Sequence, residues 1–270
     1  MNDCWEQIID HPLGKRGLKP REKGLTMVID KGLGLRELRD LLEIAGSYLD
    51  LLKLGFGTSL LYKEKLVKMK IELCQEYQIK IYPGGTLMEI AMFQGRYEAY
   101  LEQAGKLGFK IIEISDGTIP LNAEKREDCI KQAVRAGFTV LTELGKKNPK
   151  AVLSPKQLWI QGQKDLANGA WKTIIEARES GKGIGIYNPK GEIEEAKLMA
   201  LLENCEDHNK IIWEAPLKNQ QINLIKRLGS AVNLGNIQPQ DLLALEALRT
   251  GLRADTLPSA YTLTNKTYHS

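Results

Sequence analysis

The chain has 270 residues, is 43% hydrophobic and 27% charged, and carries 38 basic against 34 acidic side chains, a formal net charge of +4. That composition excludes a mainly disordered chain, contains no apolar run long enough for a transmembrane helix, and gives no charge-based argument for nucleic acid. The start, Met1-Asn2-Asp3-Cys4-Trp5-Glu6, lacks the basic-then-apolar order of a secretion signal, so a cytoplasmic location is expected.

Residues 1–24 read as an N-terminal arm. Its basic side chains, Lys15, Arg16, Lys19, Arg21 and Lys23, have no interleaved aromatics, so a solvated arm packed across the main domain is favoured over an RNA-binding one. From residue 25, short β-branched runs ending in Gly, Asp, Asn or Pro alternate with helical stretches. The runs are 25–30, 50–57, 79–82, 109–116, 139–143, 172–176, 210–214 and 231–236. Helical signals lie between them. Leu38, Leu41, Leu42 and Ala45 share one face of 35–45, and 87–104 is a long amphipathic stretch. Ser154-Pro155 marks a helix start, and 239–253 carries a leucine stripe. Eight strands, each followed by a helix, predict a single-domain α/β fold, a (β/α)8 TIM barrel over 25–253. An open doubly wound sheet is disfavoured. Gly32-Leu33-Gly34 is followed by Leu35-Arg36-Glu37, which breaks the G-x-G-x-x-G dinucleotide pattern. Residues 254–270 are polar and aperiodic and read as a frayed tail.

The four cysteines, Cys4, Cys74, Cys129 and Cys205, form no CxxC pair and read as reduced thiols. The three histidines, His11, His208 and His269, end no apolar strand, so carboxylates and lysines must carry any chemistry. Four consecutive strands end in the same way, with Glu113, Glu143, Glu176 and Glu214 each following apolar residues. With two-residue alternation these glutamates point into the barrel at its C-terminal mouth, where barrel active sites sit. A ring of carboxylates repels itself unless a cation is present. Lys31, Lys53, Lys146, Lys147 and Arg178 are candidates, and so is Mg²⁺, which prefers hard oxygen ligands. A metal-free salt-bridge network is the bland alternative. Turns at Pro83-Gly84-Gly85-Thr86, at 55–59 and at Gly235-Asn236 suit an anion.

Those residues, with Lys19-Pro20-Arg21, Asp30-Lys31-Gly32, Lys53-Leu54-Gly55-Phe56-Gly57-Thr58-Ser59, Glu113-Ile114-Ser115-Asp116-Gly117, Glu176-Ala177-Arg178-Glu179-Ser180-Gly181, Glu214-Ala215-Pro216 and Asn233-Leu234-Gly235-Asn236-Ile237, resemble the phosphosulfolactate synthase family collinearly over about 19–255. The resemblance implies Mg²⁺-dependent addition of sulfite to phosphoenolpyruvate, giving (2R)-3-phosphosulfolactate. That step feeds coenzyme M in methanogens and sulfolactate in bacterial relatives. The expected metal ligands are Glu113, Glu143, Glu176 and Glu214. Lys53, Arg178, Gly84, Gly85, Ser115, Asp116, Asn233, Gly235 and Asn236 are expected to bind substrate. A lysine is expected to give the proton, Lys147 first, then Lys146, with Lys31 in reserve. The expected partners are these small anions, without nucleic acid or membrane, in a homo-oligomer. Another phosphoenolpyruvate or sugar-phosphate barrel enzyme, or a non-catalytic homologue, is the alternative.

Overall fold

The computed structural model describes residues 5–146, 153–203 and 205–261. Eight strands are present: β1 (Thr26–Asp30), β2 (Leu51–Leu54), β3 (Lys80–Pro83), β4 (Ile111–Ile114), β5 (Thr139–Leu144), β6 (Lys172–Ile175), β7 (Ile211–Glu214) and β8 (Leu234–Ile237). The helices are α1 (Leu35–Ala45), α2 (Glu64–Glu76), α3 (Gly85–Phe93), α4 (Tyr97–Leu107), α5 (Ala123–Arg135), α6 (Pro155–Ala167), α7 (Glu195–Leu202), α8 (Lys218–Leu228) and α9 (Leu242–Arg249). All paired strands are parallel, in the order β3-β2-β1-β8-β7-β6-β5-β4. This is the expected (β/α)8 barrel, nearly closed, with no ladder between β3 and β4 among the described residues. No described helix is long and apolar enough to cross a membrane.

Alternation along the strands sorts the core into two layers. Leu25, Met27, Leu51, Tyr82, Ile111, Leu141, Ile174 and Ile212 fill the barrel interior. Their strand neighbours, such as Leu52, Ile112, Val140, Ile175 and Trp213, face the helices. Each interior residue at 111, 141, 174 and 212 is followed two positions later by a glutamate, so the pleat carries all four acids inward.

Several boundaries differ from the sequence expectation. The second strand stops at Leu54, and Gly55–Leu60 coils into a 3-10 turn through left-handed Phe56 (φ 56°) and Gly57 (φ 67°). The 87–104 stretch is two helices, since Gly95 takes a φ of 66° and ends α3. The eighth strand begins at Leu234, three residues later than its pattern suggested. The C-terminal segment does not fray where it leaves the barrel. Thr256 Oγ1 donates to the Leu248 carbonyl at 2.8 Å, and Ala260 is buried.

The gap between β3 and β4 is bridged by backbone. Gly85 N donates to Glu113 Oε1 at 2.7 Å. A Cβ at position 85 would lie 2.4 Å from Ser115 Cβ and 2.9 Å from Glu113 Oε1. We expect Gly85→Ala to cost about 1–3 kcal/mol by overpacking, measured as a lower denaturation midpoint.

The arm crosses the N-terminal mouth, its arginines buried rather than solvated. Arg16 reaches Glu246 at 2.6 Å and Asp50 at 3.3 Å, and Arg21 reaches Asp50 at 2.8 Å. Lys19 donates to the carbonyls of Gly46 and Tyr77.

Candidate active site

A cavity of about 520 Å³ opens at the C-terminal mouth, lined by Lys53, Glu113, Glu143, Glu176, Glu214, Arg178 and Asn236 together with Phe56, Gly84, Thr86 and Thr118. Its floor is a buried ion cluster. Lys53, the third residue of β2, extends Nζ to within 3.0 Å of Glu113, 2.9 Å of Glu143 and 3.4 Å of Glu214. Burial alone would strip the Lys53 proton, but the three glutamates outweigh it and hold the ammonium well above its ordinary pKa.

Each glutamate is fixed by a further bond. Glu113 Oε1 is held by Gly85 N, while Oε2 is buried with no hydrogen-bond partner. Glu214 Oε2 accepts from Ala177 N at 2.9 Å. Glu176 Oε1 accepts from the Arg178 backbone N–H. Burial pushes the Glu113 carboxyl up to about 7, with Lys53 pulling it down and Glu143 pushing it further up. Glu214 is raised too, by burial against the opposing pull of Lys53.

A second layer supports the first. Ser115 Oγ stands 2.6 Å from Glu89 Oε1 and 3.2 Å from Glu143 Oε1. Glu89 Oε2 accepts from the N–H groups of Thr118 and Ile119, which ties down the loop after β4. Arg126 grips Asp165 at 2.7 Å and Asp116 at 2.9 Å and donates to the Glu143 carbonyl at 3.0 Å. It therefore fixes the backbone that presents Glu143. Sequence reasoning missed Glu89, Arg126 and Asp165. One signal was present: Arg126 shares a buried face with Cys129, Ile130 and Ala133, a charge in a core register of α5. Lys70 likewise sits beside Val67, Ile71 and Cys74 and is paired to Asp30 at 2.6 Å, both fully buried.

The expected substrate and proton-donor residues separate into groups. Lys53, Gly84, Arg178 and Asn236 line the cavity, and Asn236 Oδ1 is buried there without a hydrogen-bond partner. The Arg178 guanidinium makes no ion pair among the described residues, and its backbone is left-handed (φ 60°). Gly84 and Gly85 do not offer the anion cradle expected of them, because Gly84 N is spent on the Leu54 carbonyl at 3.0 Å and Gly85 N on Glu113. Gly235 makes room rather than contact, since a Cβ there would meet Met27 Cε at 2.4 Å. Ser115 and Asp116 stand behind the cavity wall. So does Lys146, whose ammonium is paired with the Asp116 carboxylate and donates to the Asp116 carbonyl at 2.9 Å. Lys31 stands outside the cavity, paired at 2.5 Å with the rim residue Glu179. Asn233 belongs to the opposite mouth. Its amide bonds Leu25 N, Asn209 O and Ile211 O, because the late start of β8 leaves residue 233 below the strand. Lys147 lies outside the described residues.

The four glutamates do not fit a metal centre as expected. The donor set is chemically right for Mg²⁺, but Lys53 Nζ occupies the point on which three of them converge. Among the described residues no group of three or more His, Cys, Asp or Glu is arranged to hold a metal.

Four glutamates around an embedded lysine, at the C-terminal mouth of a (β/α)8 barrel, have the position and make-up of a barrel-enzyme active site. A profile of the (2R)-phospho-3-sulfolactate synthase (ComA) family matches residues 14–255. Phosphosulfolactate synthases of Methanocaldococcus jannaschii and Methanothermobacter thermautotrophicus are 45% and 44% identical, over 87% and 90% of this chain and 94% of each relative. That of Bacillus subtilis is 37% identical over 88% of this chain and 94% of its own. The chain belongs to the (2R)-phospho-3-sulfolactate synthase family and is an enzyme of the carbon–sulfur lyase class. The fold is shared more widely. Phosphonopyruvate hydrolase, solved with oxalate and Mg²⁺, matches with a TM-score of 0.55 at 13% identity over 84% of this chain and 80% of its own. The YdjI aldolase of Escherichia coli K12 matches at 0.54 and 13% identity over 90% and 91%.

Proposed function

We propose that this pocket adds sulfite to phosphoenolpyruvate and yields (2R)-3-phosphosulfolactate, the product for which the family is named. The observation that carries the reading is the family match across nearly the whole barrel. The site chemistry supports it. Sulfite is itself a strong nucleophile, and no histidine or cysteine lines the cavity among the described residues.

The sulfur lone pair attacks the methylene carbon, and the C=C electron pair moves toward C2 and the carboxylate. No phosphate bond breaks. Arg178 takes an oxyanion of the substrate with its planar fork, and the amide of Asn236 lies beside it. Lys53 stays protonated and offsets the negative charge that develops on the carboxylate. C2 must then gain a proton. A carboxyl raised to about 7 is the acid best matched to neutral pH in the cavity, so Glu113 delivers it. Sulfite attacks as the dianion and brings no proton, so Glu113 regains its own from solvent. Delivery from one fixed side chain accounts for a single configuration at C2. Lys146 does not serve, because Asp116 engages it behind the wall. Mg²⁺, implied by the resemblance, does not fit the four glutamates while Lys53 stands among them, and no step here is routed through it.

Incubation with sulfite and phosphoenolpyruvate should give phosphosulfolactate by mass spectrometry, and either substrate alone should give none. Phosphoenolpyruvate left unconsumed in the presence of sulfite overturns the reading. Arg178→Lys should raise the Michaelis constant for phosphoenolpyruvate at least ~10-fold with a smaller change in kcat, since lysine lacks the bidentate fork. Steady-state kinetics check it.

A further inference from the structure

A second cavity lies away from the glutamates. A space of about 650 Å³ lies at the opposite, N-terminal mouth, between the arm and the beginnings of β6, β7 and β8. Its walls hold charges that their surroundings do not balance. Four cations here are nine-tenths or more buried: Arg16 and Arg21, with side chains 9% and 8% exposed, and Lys172 and Arg249, at 3% and 1%. Among the described residues two buried carboxylates answer them, Asp50 and Glu246, and both are already engaged by Arg16 and Arg21.

Lys172 and Arg249 have hydrogen bonds but no ion pair among the described residues, although the exposed Glu22 and Asp207 also line the cavity. Lys172 Nζ donates to the carbonyls of Glu22 and Asn209 at 2.8 and 2.6 Å. Arg249 Nη1 donates to the carbonyls of Ser230 and Val232 at 2.6 and 2.7 Å, and its Nε is buried without a partner. Carbonyl dipoles satisfy donors, yet a buried charge without an opposite charge stays costly. The strain shows in the proton affinities. Burial, then Arg16, push the Arg249 guanidinium down to about 9. Burial lowers Lys172 too, with Glu22 and Asp207 pulling the other way and Lys210 adding to the fall. Lys210 stands exposed at the rim of the same cavity.

We propose that this N-terminal mouth is a second ligand site, taking a small anion of at least two negative charges, of the phosphate class. Such an anion would supply the charge that Lys172 and Arg249 lack. The concave walls, closed on one side by the arm, suit a small molecule rather than a polynucleotide, which needs an open groove. The packed interior layer from Met27 to Ile212 separates this site from the glutamates, so the two ends fill independently. The inference does not rest on the proposed reaction.

Pyrophosphate is the probe, titrated calorimetrically into the full chain against sodium chloride of matched ionic strength. The active-site variant Arg178→Ala should keep one equivalent of binding, with Kd within about 2-fold of the parent value for that site. Lys172→Met should weaken that equivalent at least ~10-fold. Lys172 is buried, so Lys210→Glu, an exposed change, provides the same test without risk to folding and should also weaken it ~10-fold, about 1.4 kcal/mol. Binding that vanishes in Arg178→Ala and survives both lysine changes overturns the proposal. So does heat no greater than that of the chloride control, or binding of poly(U) without binding of pyrophosphate.

Discussion

Replacing Lys53 by methionine is expected to have the largest effect of any single change at the C-terminal mouth. The ammonium is fully buried and is the shared counter-charge of Glu113, Glu143 and Glu214. Breaking a buried ionic cluster by removing one partner costs about 3–5 kcal/mol, because the remaining charges stay desolvated and unpaired. The cost should depend on pH in a definite direction. Without Lys53 the folded-state pKa values of the glutamates rise further above their unfolded values. The folded variant then binds more protons than the unfolded chain, so its stability falls as pH rises from about 4.5 toward those raised values. Denaturation at pH 5 and pH 8 should therefore show a larger deficit against the parent at pH 8. Turnover should fall by at least ~10³-fold at both values, since the charge facing the developing anion is gone. A deficit that is constant with pH would mean that the carboxylates do not depend on Lys53.

Much of this site was legible because strand alternation is rigid. Glu113, Glu143, Glu176 and Glu214 each stand two residues beyond an interior apolar residue, and the pleat left them one direction to point. What alternation does not carry is distance across the barrel. Lys53 was one of several candidate cations in the sequence. Only barrel closure brings β2 opposite β4, β5 and β7, and so places its Nζ where a metal was expected. Asn233 failed for a related reason. Its run looked three residues longer than β8 is, and an error of that size at a strand start moves a side chain from one mouth to the other. The amides of Gly84 and Gly85 were read as free because the residue type tells nothing of which acceptor will be nearest. Arg126 and Lys70 were hidden inside helical patterns that read as ordinary amphipathic faces, where one charge in a core position is easily taken for noise.

The proton affinity of Glu113 was the least legible feature, and it leads to the second large expectation. From sequence, all four glutamates count as anions, which leaves only lysines to donate a proton. Burial at 1% exposure changes that, and the carboxyl is pushed to about 7. A general acid must be protonated to act, so kcat/KM for phosphoenolpyruvate should fall as pH rises through about 7. Sulfite itself ionises near neutrality, so the profile must be taken at constant dianion concentration. Glu113→Gln keeps an acceptor for Gly85 N at the same place, which preserves the β3–β4 bridge. It removes the transferable proton. Turnover should drop by ~10²–10⁴-fold, the range for losing a positioned acid, and the fall near pH 7 should vanish from the residual activity. A merely structural role for Glu113 would lower the rate without changing the shape of the profile. If the variant keeps the parent's inflection, the proton comes from another group, and Glu214, which burial also raises, is next in line.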